Sequence, residues 1–186
     1  MTYLVIGLAL WVIAHLFKRW APGARAAMGE NAGKMAVAVA LVAAIVLMVI
    51  GYRAAEVQPV YTPLPGMGYL NNLLMVVSVF LFGVGGTKGT LYTRLRHPML
   101  TGTALWAIAH LLVNGDVASL VLFGGIGLWA VVSMLVINAS GPWARPTGGR
   151  GVKGDLMNLA GTVVLFGIIA YVHMWLGYSP FMGTYG

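Results

Sequence analysis

One octet of residues with chemical potential occurs twice in the chain. Ala9-Leu10-Trp11-Val12-Ile13-Ala14-His15-Leu16 and Ala104-Leu105-Trp106-Ala107-Ile108-Ala109-His110-Leu111 agree at all but one position. A Trp and a His four residues apart share one face of a helix. Both octets sit in apolar stretches, where an ionisable side chain is expensive and marks a functional site by default. Ala, Leu and Ile are common here, so their recurrence says little. The chain has only 6 Trp and 4 His, and both types recur. Neutral imidazole is the commonest metal ligand and an axial ligand of haem iron. His15, His97, His110 and His173 are therefore the candidate ligands. The 11 methionines are weaker donors and mostly packing filler.

Helix geometry restricts how the histidines combine. His97 and His110 are separated by about 20 Å along a helix axis and point to roughly opposite faces, so they cannot share one iron. By depth, His110 and His173 both fall toward the outer ends of their apolar segments, and His15 and His97 toward the inner ends. His15 and His110 differ in depth by about 10–15 Å if their helices are straight and centred. Depth alone pairs His110 with His173, or His15 with His97. A tilted, kinked or re-entrant fourth segment would allow His15 with His110.

The elements that must position these residues are membrane helices. The 186 residues are 60% hydrophobic and 8% charged, with a mean hydropathy of +0.88; a soluble domain carries about 25% charge. The expectation is an all-α polytopic bundle forming a single domain over residues 1–186. No soluble block is long enough to fold alone, so any activity lies in or beside the bilayer. Cysteine is absent, which excludes disulfides, a thiolate haem ligand and Cys-based zinc or iron–sulfur sites. The net charge of +7 is not a nucleic-acid signature, because the basic residues gather in a few loops between apolar runs.

Six apolar runs are read: Thr2–Phe17, Met35–Tyr52, Tyr69–Gly86, Met99–Val113, Val117–Ile137 and Leu156–Tyr178. A spanning helix needs about 20 residues, so the first and fourth are short. Lys18 and Arg19 can snorkel to extend the first. The octets lie on the first and fourth runs, which cross in opposite senses, and this suggests a three-plus-three inverted repeat.

Loop charge alternates. Lys18, Arg19, Arg25 and Lys34 oppose Glu30 in the first loop; Arg53 and Glu56 cancel in the second. Lys88, Arg94 and Arg96 load the third, Asn114-Gly115-Asp116 has no base, and Arg145, Arg150 and Lys153 oppose Asp155 in the fifth. Basic loops stay in the cytoplasm, which puts loops one, three and five inside and both termini outside. The first run is read as a retained span, since its basic residues follow the apolar segment and no small-residue cleavage pattern precedes them. The second loop, Gln58 to Gly66, is Pro-rich and should lie over the outer face; the fifth, Gly141 to Gly154, should be an irregular basic loop. Glycines at 83, 85, 86, 124, 125 and 127 suit close helix approach. Gly85-Gly86-Thr87-Lys88-Gly89 lacks the spacing and preceding strand of a phosphate loop.

The third loop and the fourth run carry the most specific pattern. Arg94-Leu95-Arg96-His97-Pro98 lies at the inner surface, with Pro98 suited to a helix first turn. Lys88, Arg94 and Arg96 would neutralise an anion such as a haem propionate. Arg96-His97-Pro98-Met99-Leu100-Thr101-Gly102 followed by Leu105-Trp106-Ala107-Ile108-Ala109-His110-Leu111-Leu112-Val113-Asn114-Gly115-Asp116 resembles the core signature of the NnrU family, and His173-Met174-Trp175-Leu176-Gly177-Tyr178-Ser179-Pro180 resembles its ending.

That family comprises polytopic bacterial membrane proteins associated with denitrification, the reduction of nitrite and nitric oxide. Its plant and cyanobacterial relative is 15-cis-ζ-carotene isomerase, a haem b protein with histidine ligation. The resemblance implies haem b here, with His110 as an axial ligand and His15 at the place of the first-span ligand. A haem there would have Trp11 and Trp106 packed beside the ring and Arg94 or Arg96 reaching its propionates, with His97 a further cofactor-binding candidate. The isomerase carries a cysteine near its second ligand; Ala107 occupies that place here. The implied partners are a small apolar molecule or a nitrogen oxide, membrane lipid and a redox partner.

Two other classes compete. Arg96-His97-Pro98-Met99-Leu100-Thr101-Gly102 also resembles the Arg-His-Pro block of isoprenylcysteine-type methyltransferases, which use S-adenosylmethionine. Those carry paired glutamates in a downstream cytoplasmic segment, and Asn138 to Asp155 contains no glutamate. A non-catalytic accessory or transport factor is the third class. Coupled carriers usually need a carboxylate within the membrane, and Glu30, Glu56, Asp116 and Asp155 all lie at loops or span ends.

Overall fold

The computed structural model describes residues 1–185, and these contain eight α-helices, with the longest connections at residues 54–66 and 140–150. They are α1 (Thr2–Trp20), α2 (Pro22–Ala27), α3 (Glu30–Arg53), α4 (Met67–Thr87), α5 (Pro98–Leu111), α6 (Val117–Ser119), α7 (Gly125–Ala139) and α8 (Gly151–Trp175). Five helical stretches are long and apolar enough to cross a membrane, counting α6 through α7 as one. The sixth expected span, α5, has 14 residues and reaches about 21 Å, less than a hydrocarbon core of about 30 Å.

Local chemistry sets the helix ends. Pro98 opens α5 at its first turn, where its missing N–H has no intrahelical acceptor to lose. Asp116 caps α6, accepting from the Ser119 backbone N–H at 3.0 Å as a cap side chain should. Lys88 closes α4 in the left-handed region at φ 54°. Leu120–Gly124 between α6 and α7 forms a π-helical turn, so the fifth span is continuous but locally underwound. The first loop contains α2, a short helix begun by Pro22 that the composition of that loop did not suggest.

Packing arranges the helices in a row. The α1 helix lies along α3, the α6–α7 span lies between α1 and α5, and α4 lies between α5 and α8. Gly7 and Gly51 make the α1–α3 approach possible: a Cβ on Gly7 would stand 2.8 Å from the Ala44 carbonyl oxygen, and one on Gly51 would strike the Leu4 backbone. Leu4, Met48, Ala118, Ile126, Trp129 and Ala130 form the buried core where these helices meet α6–α7. An inverted three-plus-three exchange would turn the extensive α4–α5 packing into α8–α1 packing, and α8 packs along α4 instead. The α1–α3 pairing has a counterpart in α5 against α6–α7, but the α4–α5 pairing has none, so a full inverted repeat is not shown.

The loops sort by end. Loops two and four meet through Val60 N–H donating to the Gly115 carbonyl at 2.7 Å and Val117 N–H to Gln58 at 2.9 Å. The chain's final turn joins the same end, where Gly68 N–H donates to Thr184 at 3.1 Å. The three basic loops occupy the other end: Arg150 N–H donates to the Lys88 carbonyl at 2.7 Å, and Arg19 to Ser140 Oγ at 3.3 Å.

Candidate functional site

The two octets build two ring clusters of the same design. In each, the histidine Nδ1 lies 2.9 Å from the carbonyl oxygen of the Trp one turn earlier: His15 on Trp11 and His110 on Trp106. A carbonyl only accepts, so the proton sits on Nδ1 and Nε2 carries the free lone pair. His173 repeats the arrangement, with Nδ1 2.8 Å from the Ile169 carbonyl. Three imidazoles on three spans are thus fixed in one tautomer, the state in which Nε2 ligates a metal.

Each octet histidine takes a further ring from the α6–α7 span. His110 stacks on Phe123 at 4.5 Å and 24°, with Trp106 4.9 Å away. His15 packs against Trp11 at 4.2 Å and Trp129 at 4.4 Å, and the two indoles meet each other edge-on at 5.3 Å. Phe123 and Trp129 are six residues apart, about 9 Å along a helix axis. The clusters are therefore staggered in depth. His110 belongs to the outer cluster and His15 to the deeper one. The Trp11 and Trp129 indole N–H groups are both buried without a partner.

The basic candidates lie elsewhere. Arg96 donates to the carbonyls of Ile137 at 3.2 Å and Gly141 at 2.9 Å, closing the C-terminus of α7. His97 Nε2 lies 2.9 Å from Asn138 Oδ1. Arg94 is exposed beside them. Arg96 and His97 flank the start of α5, and His110 is near its other end. The structure does not bring Arg94, Arg96 or His97 to His110.

A polar chain borders the outer cluster and went unread in the sequence. Ser119 Oγ lies 2.5 Å from Asp116 Oδ2 and 2.9 Å from the Tyr52 hydroxyl. Tyr52 in turn meets Phe123 edge-on at 6.0 Å. Burial pushes the Asp116 carboxyl up, but hydrogen bonds from Ser119 and backbone N–H groups outweigh it and leave the group below its ordinary value. Tyr52, Ser119, Phe123 and Trp129 carried no spacing signal; the scarcity of Trp was the one available pointer to Trp129.

Comparison with known proteins assigns the chain. A family model described as NnrU protein matches residues 3–180, nearly the whole length. No curated protein and no solved structure matches it.

Proposed function

The chain belongs to the NnrU family, and from that premise we propose that it is a histidine-ligated haem b protein of the bacterial inner membrane with a redox role in nitrite and nitric oxide metabolism. The observation that carries the reading is the common setting of His15, His110 and His173, each with Nδ1–H on a carbonyl and Nε2 free. That donor set fits haem. No group of three or more His, Asp or Glu that could hold a metal ion occurs among the described residues. A bare ion would lack ligands, whereas a porphyrin brings four nitrogens and needs one or two imidazoles.

In this reading His110 is an axial ligand, oriented by Trp106 and Phe123. His173, near the outer end of α8, is its partner by depth. His15 is the partner that the family resemblance implies, and the unpaired indoles of Trp11 and Trp129 beside it favour a polar occupant there. Bound haem would supply a one-electron couple and, where one axial position is open, a binding position for a nitrogen oxide. The chain's own residues fix imidazole orientation and keep water out. Ala107, 2% exposed, stands where the related isomerase has cysteine, so thiol-based ligand switching has no donor here and the redox role is favoured over double-bond isomerisation. The basic end faces the cytoplasm.

The test is an absorption spectrum of detergent-purified protein, oxidised and dithionite-reduced, with a pyridine haemochrome assay. The expected result is a Soret band with b-type α and β bands at near-stoichiometric haem. A protein that stays colourless after haem reconstitution overturns the reading.

A further inference from the structure

A groove of about 280 Å³ runs between α4 and α8, in the half of the bundle nearer the basic loops. Its mostly apolar walls extend from Thr87 back to Val79 on α4 and from Met157 on to Leu165 on α8. Each wall covers eight residues, about 12 Å, and reaches from the basic end to near mid-span. Phe82, Met157 and Leu165 are themselves exposed, so the groove opens sideways toward lipid. A Cβ on Gly161 would meet nothing within 4 Å, so the space is not a tight helix seam.

Three cations stand at the basic end of this groove. Lys88 directly follows Thr87, and the Arg150 backbone N–H donates to the Lys88 carbonyl at 2.7 Å. Lys153 lies one turn before Met157 on the same face of α8. The Arg150 guanidinium turns along α8, and its Nη1 stands 3.8 Å from Met157 Sδ. A thioether is a weak acceptor, so that contact places the charge at the groove without satisfying it. Other basic side chains at this end are committed within the protein. Arg19, Arg25 and Arg96 donate to oxygens, and Lys34 pairs with Glu30. Among the described residues no carboxylate pairs with Lys88, Arg150 or Lys153. Asp155, close to them in sequence, accepts from the Thr90 backbone N–H at 2.8 Å and from the Thr90 hydroxyl instead.

We infer that this groove binds an anionic phospholipid, with an acyl chain along the α4–α8 walls and the phosphate among Lys88, Arg150 and Lys153. Basic residues at the membrane surface attract anionic headgroups, and a guanidinium can hold a phosphate through two hydrogen bonds. The amine of a zwitterionic headgroup would meet three like charges, which selects against it. Depth agrees with charge: the apolar walls run from the cations toward mid-span, the course an acyl chain takes from its headgroup. A free phosphate would use the cations and leave the groove empty. The site is independent of the haem reading, and its test reads binding alone.

The experiment is native mass spectrometry of the full-length protein in detergent, titrated with phosphatidylglycerol and, separately, phosphatidylcholine. The expected result is a saturable one-lipid adduct that forms preferentially with phosphatidylglycerol. Arg150→Gln with Lys153→Gln weakens phosphatidylglycerol binding by about fivefold for each charge removed and leaves phosphatidylcholine binding unchanged. Lys18→Gln with Lys34→Gln removes two charges from α1 and α3, far along the row of helices from α8, and has no effect. Gly161→Leu fills the groove and reduces binding of both lipids, with its thermal unfolding unchanged. Equal binding of the two lipids, an equal loss in both charge pairs, undiminished binding in Gly161→Leu, or displacement by chain-free glycerophosphoglycerol as effective as by the lipid overturns the assignment.

Discussion

The His110 side chain is held by a backbone carbonyl and by two aromatic rings. Its Nδ1–H is held by Trp106 and its ring by Phe123, so its free Nε2 has one fixed direction. His110→Ala should abolish or strongly reduce bound haem in the pyridine haemochrome assay; a variant with full haem would remove His110 as a ligand. His173→Ala and His15→Ala, compared by reduced-state spectra, separate the two pairings. The variant that keeps the parental spectrum identifies the histidine that does not bind. Asp116 acts differently, through stability. Its carboxyl lies below the ordinary 3.8 in the folded state because Ser119 and backbone N–H groups bond the anion. That stabilisation is fully present above the unfolded value and is lost as pH falls through the folded one. Thermal unfolding should therefore drop on acidification below about pH 4, and Asp116→Asn, a cap of similar quality, should flatten that part of the profile. Parallel profiles for the two proteins would count against the cap.

At the scale of elements, the fifth span is the shared wall of both ring clusters. Its π turn at Leu120–Gly124 sets the rotation between Ser119 and Trp129. Deleting Val121 should convert that turn to regular helix and swing the segment before it by about 100°. The Tyr52–Ser119 hydrogen bond and the Phe123–His110 stack cannot both survive that rotation. Lower thermal stability together with lost haem is expected, and unchanged haem would mean the turn does not position His110. The α1–α3 pair depends on two glycines. Gly51→Ala inserts a methyl group against the Leu4 backbone and should destabilise by about 1–3 kcal/mol, the usual cost of overpacking, read as a lower unfolding midpoint in detergent. Gly161→Ala, with open space around it, is the matched control and should be nearly neutral.

At the scale of the whole molecule, charge and packing agree on one axis. The basic loops meet at one end through Arg19, Arg96 and Arg150. The first turn of α1, packed on Gly51, and the turn ending at Thr184 lie at the other. Reporter fusions should follow. Alkaline phosphatase at the C-terminus should be active and a fluorescent protein there dark, with the reverse in the loop after Ala139. A fluorescent C-terminus would invert the molecule and move the outer cluster to the cytoplasmic half.

Composition and patterning determined the helical class, the approximate spans and the alternation of basic and neutral loops, because hydropathy and charge are local properties of a segment; the family resemblance rested on the Arg96–Asp116 motif. They also singled out Trp11, His15, Trp106 and His110, because rare residue types at helical spacing stand out from an aliphatic background. The shortness of α5 was legible for the same reason. Only the tertiary structure decided which rings surround each histidine. Phe123 and Trp129 reach them through a π turn and the crossing of separate spans, and neither is encoded in any window of sequence. It also separated Arg96 and His97 from His110, since a helix about 20 Å long holds its two ends apart. The Asn158–Phe80 hydrogen bond became visible only when α4 and α8 were set side by side, because a contact between two separate helices is written in neither of them alone.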